Sequence, residues 1–169
     1  MTKTLQNFFD KYLSKIYAIA YCLTPESKEA MRLIKDSLIV FQIKEEKFLS
    51  DQEFSLQSSF VESFAVERKI LRRFIRQMLV CAQGRTLDSK RNISDVQNKK
   101  IFYSISLKQR LVLFLKVKIQ MDFKELEEIF EVPKAELMRE LYLAKNFLLK
   151  NEMFDEVHHE NFEHKTFNV

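Results

Sequence analysis

The scarcity of glycine constrains the fold of this chain more than any other feature. Among its 169 residues there are one glycine and two prolines. Hairpins and barrels need glycine at their tight turns, because glycine alone adopts left-handed backbone conformations without steric cost. Hydrophobic residues make up 46% of the sequence and charged residues 31%, which is ordinary for a folded protein. The sequence therefore predicts an all-α protein with a buried core.

Apolar residues recur at helical spacing through the first half of the chain. They predict a helix over about residues 4–23, then a second helix capped by Thr24, opened by Pro25 and reaching residue 43. Residues 44–51 are expected to form a loop. A third helical run covers residues 52–83, and Gly84 is expected to end it as a C-cap.

Residues 84–93 are polar and basic and have no periodicity, so they predict a linker. The expected organisation is two small helical domains, residues 1–83 and 94–150, followed by a flexible acidic tail over residues 151–169. Three histidines lie among glutamates in that tail. Adjacent His158 and His159 would point apart on a helix, so we expect neither a metal site nor another cofactor.

The second domain carries two helix-start signals and a tight corner. Ser106 precedes Gln109 by three residues, and Asp122 precedes Glu125 by three, so each pair can close a capping box. A Val-Pro step at Pro133 then separates two short helical patterns. Short helices around a sharp corner are typical of a helix-turn-helix that presents one helix to the DNA major groove.

Several segments share their pattern and order with a known family. Residues 104–115 look like a leucine-proline-x-x-x-arginine helix entry, residues 123–130 like an aromatic-x-glutamate-isoleucine-alanine helix, and residues 132–148 like a recognition helix. In the first half, residues 8–20 resemble an opening helix, and residues 30–41 occupy the place of a polymerase-binding segment. Together they resemble the extracytoplasmic-function class of bacterial RNA polymerase sigma factors.

This resemblance implies a function in transcription initiation. The first domain would dock on RNA polymerase core through the segment that holds Arg32, Lys35 and Asp36, and would help open promoter DNA. The second domain would read the upstream promoter element. An anti-sigma protein is a further partner that the family allows.

Residues 67–91 carry eight basic and two acidic side chains. Arg68, Arg72 and Arg76 recur every fourth residue, with Lys69 and Arg73 beside them, so a helix would place them in a basic stripe. Arginine donors suit phosphate contact, which makes the stripe a predicted DNA-binding surface. The alternative is a solvated cationic face.

The predicted recognition helix holds four candidate DNA contacts. Lys134, Arg139 and Lys145 can contact phosphates or bases, and Glu136 can accept a hydrogen bond from cytosine N4. The alternative is an ordinary helix surface on which glutamates pair with lysines.

Departures from the family pattern support a second functional hypothesis. Arg32 and Lys35 reverse or replace polar and acidic residues of the polymerase-binding segment, and Glu67, Glu131 and Glu136 add acids where DNA would lie. These changes favour a sigma-like adaptor that acts through protein partners without promoter recognition. A plain helix-turn-helix repressor is a third possibility, but it leaves the first helices without a role.

Other functional classes find no support in the sequence. It has no glycine-rich phosphate loop and no cysteine–histidine pair on a common face, so we do not expect an enzyme. Cys22 and Cys81 lie on apolar helical stretches and are expected to be free thiols. No apolar run reaches the length of a membrane span or a signal peptide, so we expect a cytoplasmic protein without a membrane partner.

Overall fold

The computed structural model describes residues 3–55, 60–86 and 97–151, and within these ranges every regular element is a helix. In chain order the helices are α1 (Lys3–Leu23), α2 (Ser27–Lys44), α3 (Glu46–Ser55), α4 (Phe60–Thr86), α5 (Gln97–Ser104), α6 (Leu107–Val117), α7 (Phe123–Phe130) and α8 (Lys134–Lys150). The all-α prediction is confirmed.

Phe74 of α4 lies at the centre of the first half, where α1, α2 and α4 pack together. Its ring is fully buried and makes edge-to-face contacts with Phe9 of α1 at 5.0 Å and with Phe41 of α2 at 5.3 Å between ring centroids. Edge-to-face geometry places the positive edge of one ring against the negative face of another, which adds to the stabilisation from apolar burial. These three phenylalanine rings therefore form the centre of the core in the first half.

The loop predicted over residues 44–51 is wrong, because α3 begins at Glu46 directly after α2. Glu45 interrupts the two helices for a single residue, with its backbone N–H bonded to the carbonyl oxygen of Phe41. Phe48 and Leu49 of α3 pack against the core. This packing supplies the stabilisation that the mostly polar local sequence does not indicate.

Two predicted helix ends also differ from the structure. Gly84 does not end a helix but lies inside α4, which continues to Thr86, and its backbone does not adopt a positive φ. Thr24 does not cap α2, since its hydroxyl donates instead to the carbonyl oxygen of Ala20 at the end of α1, and the N-cap residue is Glu26. Gly84 therefore continues its helix instead of ending it. Thr24 closes the end of α1 instead of capping the start of α2.

Both predicted capping boxes are confirmed. The Ser106 hydroxyl accepts from the Gln109 N–H at 3.2 Å, and the Asp122 carboxylate accepts from the Glu125 N–H at 2.8 Å. Between α7 and α8 the chain turns at Glu131, whose φ of 54° is left-handed, a backbone conformation common where a helix ends. The following helix start has no side-chain cap from Pro133.

The two halves of the chain contribute to one large cluster of buried side chains. Leu111 of α6, Leu126 of α7 and Leu137 of α8 belong to the same cluster as the core of α1, α2 and α4. At this junction the thiol of Cys22 in α1 donates to the carbonyl oxygen of Arg110 in α6 at 3.6 Å. The predicted linker falls largely, and the predicted tail almost wholly, outside the described residues.

Cys22 and Cys81 are free thiols, as predicted. Within the described ranges, no helix combines the length and the apolar character that a membrane crossing requires.

Candidate nucleic-acid and protein-contact surfaces

Arg68, Arg72 and Arg76 of α4 face α7; we call these three residues the arginine row. Arg68 pairs with Glu125 at 2.5 Å, and Arg72 pairs with Glu128 at 2.6 Å and with Glu125 at 3.4 Å. Arg76 pairs with Glu131 at 2.5 Å. The basic stripe expected from the sequence therefore exists, but its charge is matched by carboxylates from the other half of the chain.

The spacing of the acids on α7 explains this match. Glu125, Glu128 and Glu131 recur every third residue and so lie along one side of the short helix and its C-cap. Arginines four residues apart are separated by about 6 Å along α4, and glutamates three apart by about 4.5 Å along α7. Long side chains absorb the difference, so the two rows pair in order along the contact.

Burial of the paired groups changes along the row. The Glu125 and Arg72 side chains are only 8% and 17% exposed, whereas those of Arg76 and Glu131 are 46% and 60% exposed. Inner pairs of this kind are costly to break, because a lone charge left at a part-buried site loses its solvation without compensation. The outer pair is screened by water and contributes little.

A charged cleft of about 400 Å³ adjoins the outer part of the row. Its remaining basic residues are Lys69 and Arg73, which both lie over the ring of Phe48 in α3. Arg73 also pairs with Glu45. No ion pair of Lys69 occurs among the described residues, so the cleft keeps a cationic side chain available beside the row. Its lining is Glu45, Lys69, Arg72, Arg73, Arg76, Glu128 and Glu131.

On α8, Glu136 and a second acid one turn later, Glu140, point toward α6. Glu136 pairs with Lys108, and Glu140 accepts a hydrogen bond from the Gln109 side chain at 3.0 Å. The Glu140 side chain is only 12% exposed. Glu136 could accept a hydrogen bond from cytosine only if its ion pair with Lys108 were broken.

The solvent side of α8 exposes both basic and apolar side chains. The Arg139 side chain is 70% exposed, with only a 3.4 Å contact to the neighbouring Glu140. Lys134 is exposed and lies near the ring of Phe123, and Lys145 is half-buried. Exposed Met138 and Tyr142 lie on the same helix. The mixed basic and apolar face differs in character from the fully paired arginine row.

The polymerase-contact residues predicted on α2 lie on its outer side. Arg32 bonds Glu29 at 2.9 Å, Asp36 pairs with Arg85 of α4, and Lys35 is exposed. The same helix exposes Met31, Ile39 and Ile43, which are 41%, 57% and 72% exposed. Sequence reasoning missed these apolar residues, although a continuous apolar run at the end of α2 was a visible signal.

Glu67, which was expected to repel a phosphate backbone, is neutralised within the first half. It accepts hydrogen bonds from Lys11 at 2.6 Å and from the Tyr12 hydroxyl at 2.9 Å. Burial and then the hydrogen bond to Glu67 raise the pKa of Tyr12 to about 12. The negative charge of Glu67 is therefore stabilised by two hydrogen-bond donors from α1.

The junction of the halves holds a buried cation that sequence reasoning did not single out. Arg110 is 6% exposed and lies over the ring of Tyr103 at 4.7 Å, and burial lowers its pKa. The Tyr103 hydroxyl donates to the carbonyl oxygens of Tyr21 and Thr24, which ties α5 to the end of α1. These contacts also cover Cys22, and burial raises the pKa of its thiol to about 12.

In the part of the chain that the structure describes, no three metal-ligating side chains come together. No protein-family model matches this chain, and the search of curated proteins found no match. The case for a function thus depends on the residues and contacts themselves.

Proposed function

We propose that this protein is a sigma-type transcription initiation factor that binds RNA polymerase core and directs it to promoter DNA. Helices α6 to α8 are the proposed helix-turn-helix, and α8 is its DNA-contacting helix. The observation that carries the proposal is the orientation of charge on α8: Glu136 and Glu140 turn toward α6, while Arg139 remains open to solvent. The exposed cations of this helix suit a polyanion.

The outer side of α2 is the proposed contact with polymerase core. Exposed Ile39 and Ile43 beside basic Arg32 and Lys35 form a mixed apolar and cationic surface. Apolar side chains left on a helix surface are typical of protein contacts, where their burial supplies the free energy of binding. Basic neighbours add selectivity for an acidic partner. An anti-sigma protein would compete for the same exposed surfaces.

A specific observation supports the adaptor as a second candidate. All three members of the arginine row are paired with α7, so in this arrangement the first half offers them to no promoter strand. Exposed Met138 and Tyr142 on α8 also suit a protein partner. An adaptor would bind polymerase core and leave promoter selection to a different factor.

Co-purification with RNA polymerase core, followed by promoter-dependent transcription, separates the two candidates. The sigma proposal expects core binding and specific transcripts; core binding without transcripts supports the adaptor. Arg139→Glu with Lys145→Glu should remove transcription and retain core binding. Ile39→Glu with Ile43→Glu should remove core binding, while Lys47→Glu with Lys118→Glu, which alters two exposed lysines elsewhere, should change neither. Failure of the wild-type protein to bind core in any salt would contradict both candidates.

A further inference from the structure

Helix α7 covers a surface whose chemistry fits a row of phosphates. Three arginines follow one side of α4, and each meets a carboxylate of α7 or its C-cap. Carboxylates about 4.5 Å apart along a helix resemble the phosphates of a nucleic-acid strand, which follow one another at about 3.4 Å along the axis of a duplex. The same donors that hold α7 are those that would hold a phosphate backbone.

The pairing is uneven along its length, and this defines where a competitor would enter. Glu131 and Glu128 are 60% and 48% exposed, whereas Glu125 is 8% exposed. The exposed end adjoins the charged cleft, where Lys69 has no ion pair among the described residues. A polyanion would therefore reach Lys69 and Arg76 first and then exchange with the inner pairs.

We propose that the glutamates of α7 hold the chain in a closed state in which they occupy a nucleic-acid-binding surface on α4, and that the phosphate backbone of a single strand displaces them. This inference rests on the proposed function, because it assigns a strand-binding role to the first half. The closed state and the strand-bound state exclude each other, since one set of arginine donors serves both. Binding at α4 then moves the second half away from the first.

A buried thiol at the contact between the two halves, that of Cys22, can be used to detect their separation. Cys22 of α1 is 4% exposed and donates to the backbone of Arg110 in α6. Separation of the halves removes that cover and makes the thiol accessible to an alkylating reagent. Replacement of Cys81 by serine leaves Cys22 as the one thiol in the chain, because the sequence has two cysteines.

The test measures the binding of a fluorescent 20-nucleotide oligothymidylate, which carries phosphates without promoter sequence, to the full chain at low salt. Glu128→Gln with Glu131→Gln removes two competing charges and keeps side-chain size; Glu125 is retained because it closes a capping box. Asp10→Asn with Asp51→Asn is the matched control, since it changes net charge equally at exposed sites elsewhere. We expect the α7 variant to bind at least about tenfold tighter than wild type, and the control to bind within about twofold.

Two further measurements use variants of the arginine row and the alkylation rate of Cys22. Arg72→Gln with Arg76→Gln, added to the α7 variant, should remove the gain in affinity. The oligonucleotide should accelerate Cys22 alkylation in the Cys81→Ser protein, and should not do so when Arg72 and Arg76 are replaced. Equal affinity of wild type and the α7 variant, binding with an unchanged alkylation rate, or no binding by either protein would each overturn the proposal.

These results are separable from those that test the proposed function. Core co-purification and the contribution of α8 to duplex binding do not depend on Glu128 or Glu131. If the protein binds core and duplex DNA as expected but the α7 variant binds the oligonucleotide no tighter than wild type, the proposed function stands and the closed state is wrong. A protein that opens on a single strand but never binds polymerase core keeps the nucleic-acid surface and loses the sigma-type role.

Discussion

Helices α4 and α8 both carry basic residues at regular spacing, yet the fold treats them in opposite ways. On α4, Arg72 and Arg76 are held by acids that α7 brings from more than fifty residues away. On α8, the helix's own acid Glu136 is turned inward onto α6, and Arg139 stays open to solvent. The number of basic residues on a helix therefore does not determine its free charge, which depends on where the nearest acids pack.

The largest expected effect concerns the junction that keeps α4 covered. At pH 8, Cys22 in the Cys81→Ser protein should react with iodoacetamide at least about 100-fold more slowly than in the urea-denatured chain, because the thiol is 4% exposed and stays protonated. Burial raises its pKa from 9.0 to about 12, so the reactive thiolate is scarce in the fold. The stability that the neutral thiol contributes is present below pH 9 and is lost as the pH rises toward 12. Reaction at the denatured rate would show that α6 does not cover α1 in solution.

The next largest effect concerns the affinity of α8 for duplex DNA. Arg139→Glu with Lys145→Glu should weaken binding of a promoter duplex by about 100-fold at low salt, because two attractive charges become repulsive. The salt dependence of binding should also fall, by a slope of about 1.8 for two lost phosphate contacts. Fluorescence anisotropy across a salt series measures both quantities. An unchanged affinity would assign α8 to a protein contact and favour the adaptor.

The difference between α4 and α8 can also be measured as a difference in stability, with one arginine replaced on each helix. Arg72→Met should lower the free energy of unfolding by about 1–1.5 kcal/mol, because Glu128 loses its 2.6 Å partner and buried Glu125 keeps Arg68 as its one arginine partner. Arg139→Met should change it by less than about 0.5 kcal/mol, since that side chain is 70% exposed. Urea denaturation followed by circular dichroism measures both. Equal losses would mean that the two helices do not differ in the way described.

A smaller effect tests the local geometry that positions the acids of α7. Asp122→Ala should cost about 1 kcal/mol, because it removes the acceptor for the N–H of Glu125 at the start of the helix. Ser106→Ala provides a matched loss at the start of α6, which carries no partner of the arginine row. Only the Asp122 variant should also bind the oligothymidylate more tightly, because only α7 carries partners of the arginine row. Equal affinities of the two variants would show that α7 does not contribute to closure.

Local features of the fold followed from the sequence, and long-range ones did not. Both capping boxes were predictable because Ser106 and Asp122 act on residues three positions away. The helix α3 was not, because its stabilisation comes from Phe48 and Leu49 packing on distant elements. Gly84 was misleading for a related reason: glycine permits a left-handed C-cap, but it does not require one when the helix can continue.

The site was predictable in its residues but not in its partners. The stripe on α4 could be read from the spacing of its arginines, yet its pairing required knowledge that α7 lies beside it. A signal was present, because acids at 125, 128 and 131 form a row that complements the arginines. Only the tertiary arrangement tells such a row apart from an ordinary solvated face. Likewise, the inward turn of Glu140 depends on Gln109 of α6.

A double-mutant cycle at Arg72 and Glu128 tests most directly whether α7 holds the arginine row. The free energy of unfolding is measured for wild type, Arg72→Met, Glu128→Gln and the double variant, with the same cycle at Arg139 and Glu140 as the control. We predict a coupling free energy of about 0.5–1 kcal/mol for the first pair at low salt, reduced at high salt, and a smaller one for the control. No coupling between Arg72 and Glu128 would show that α7 does not hold the arginine row.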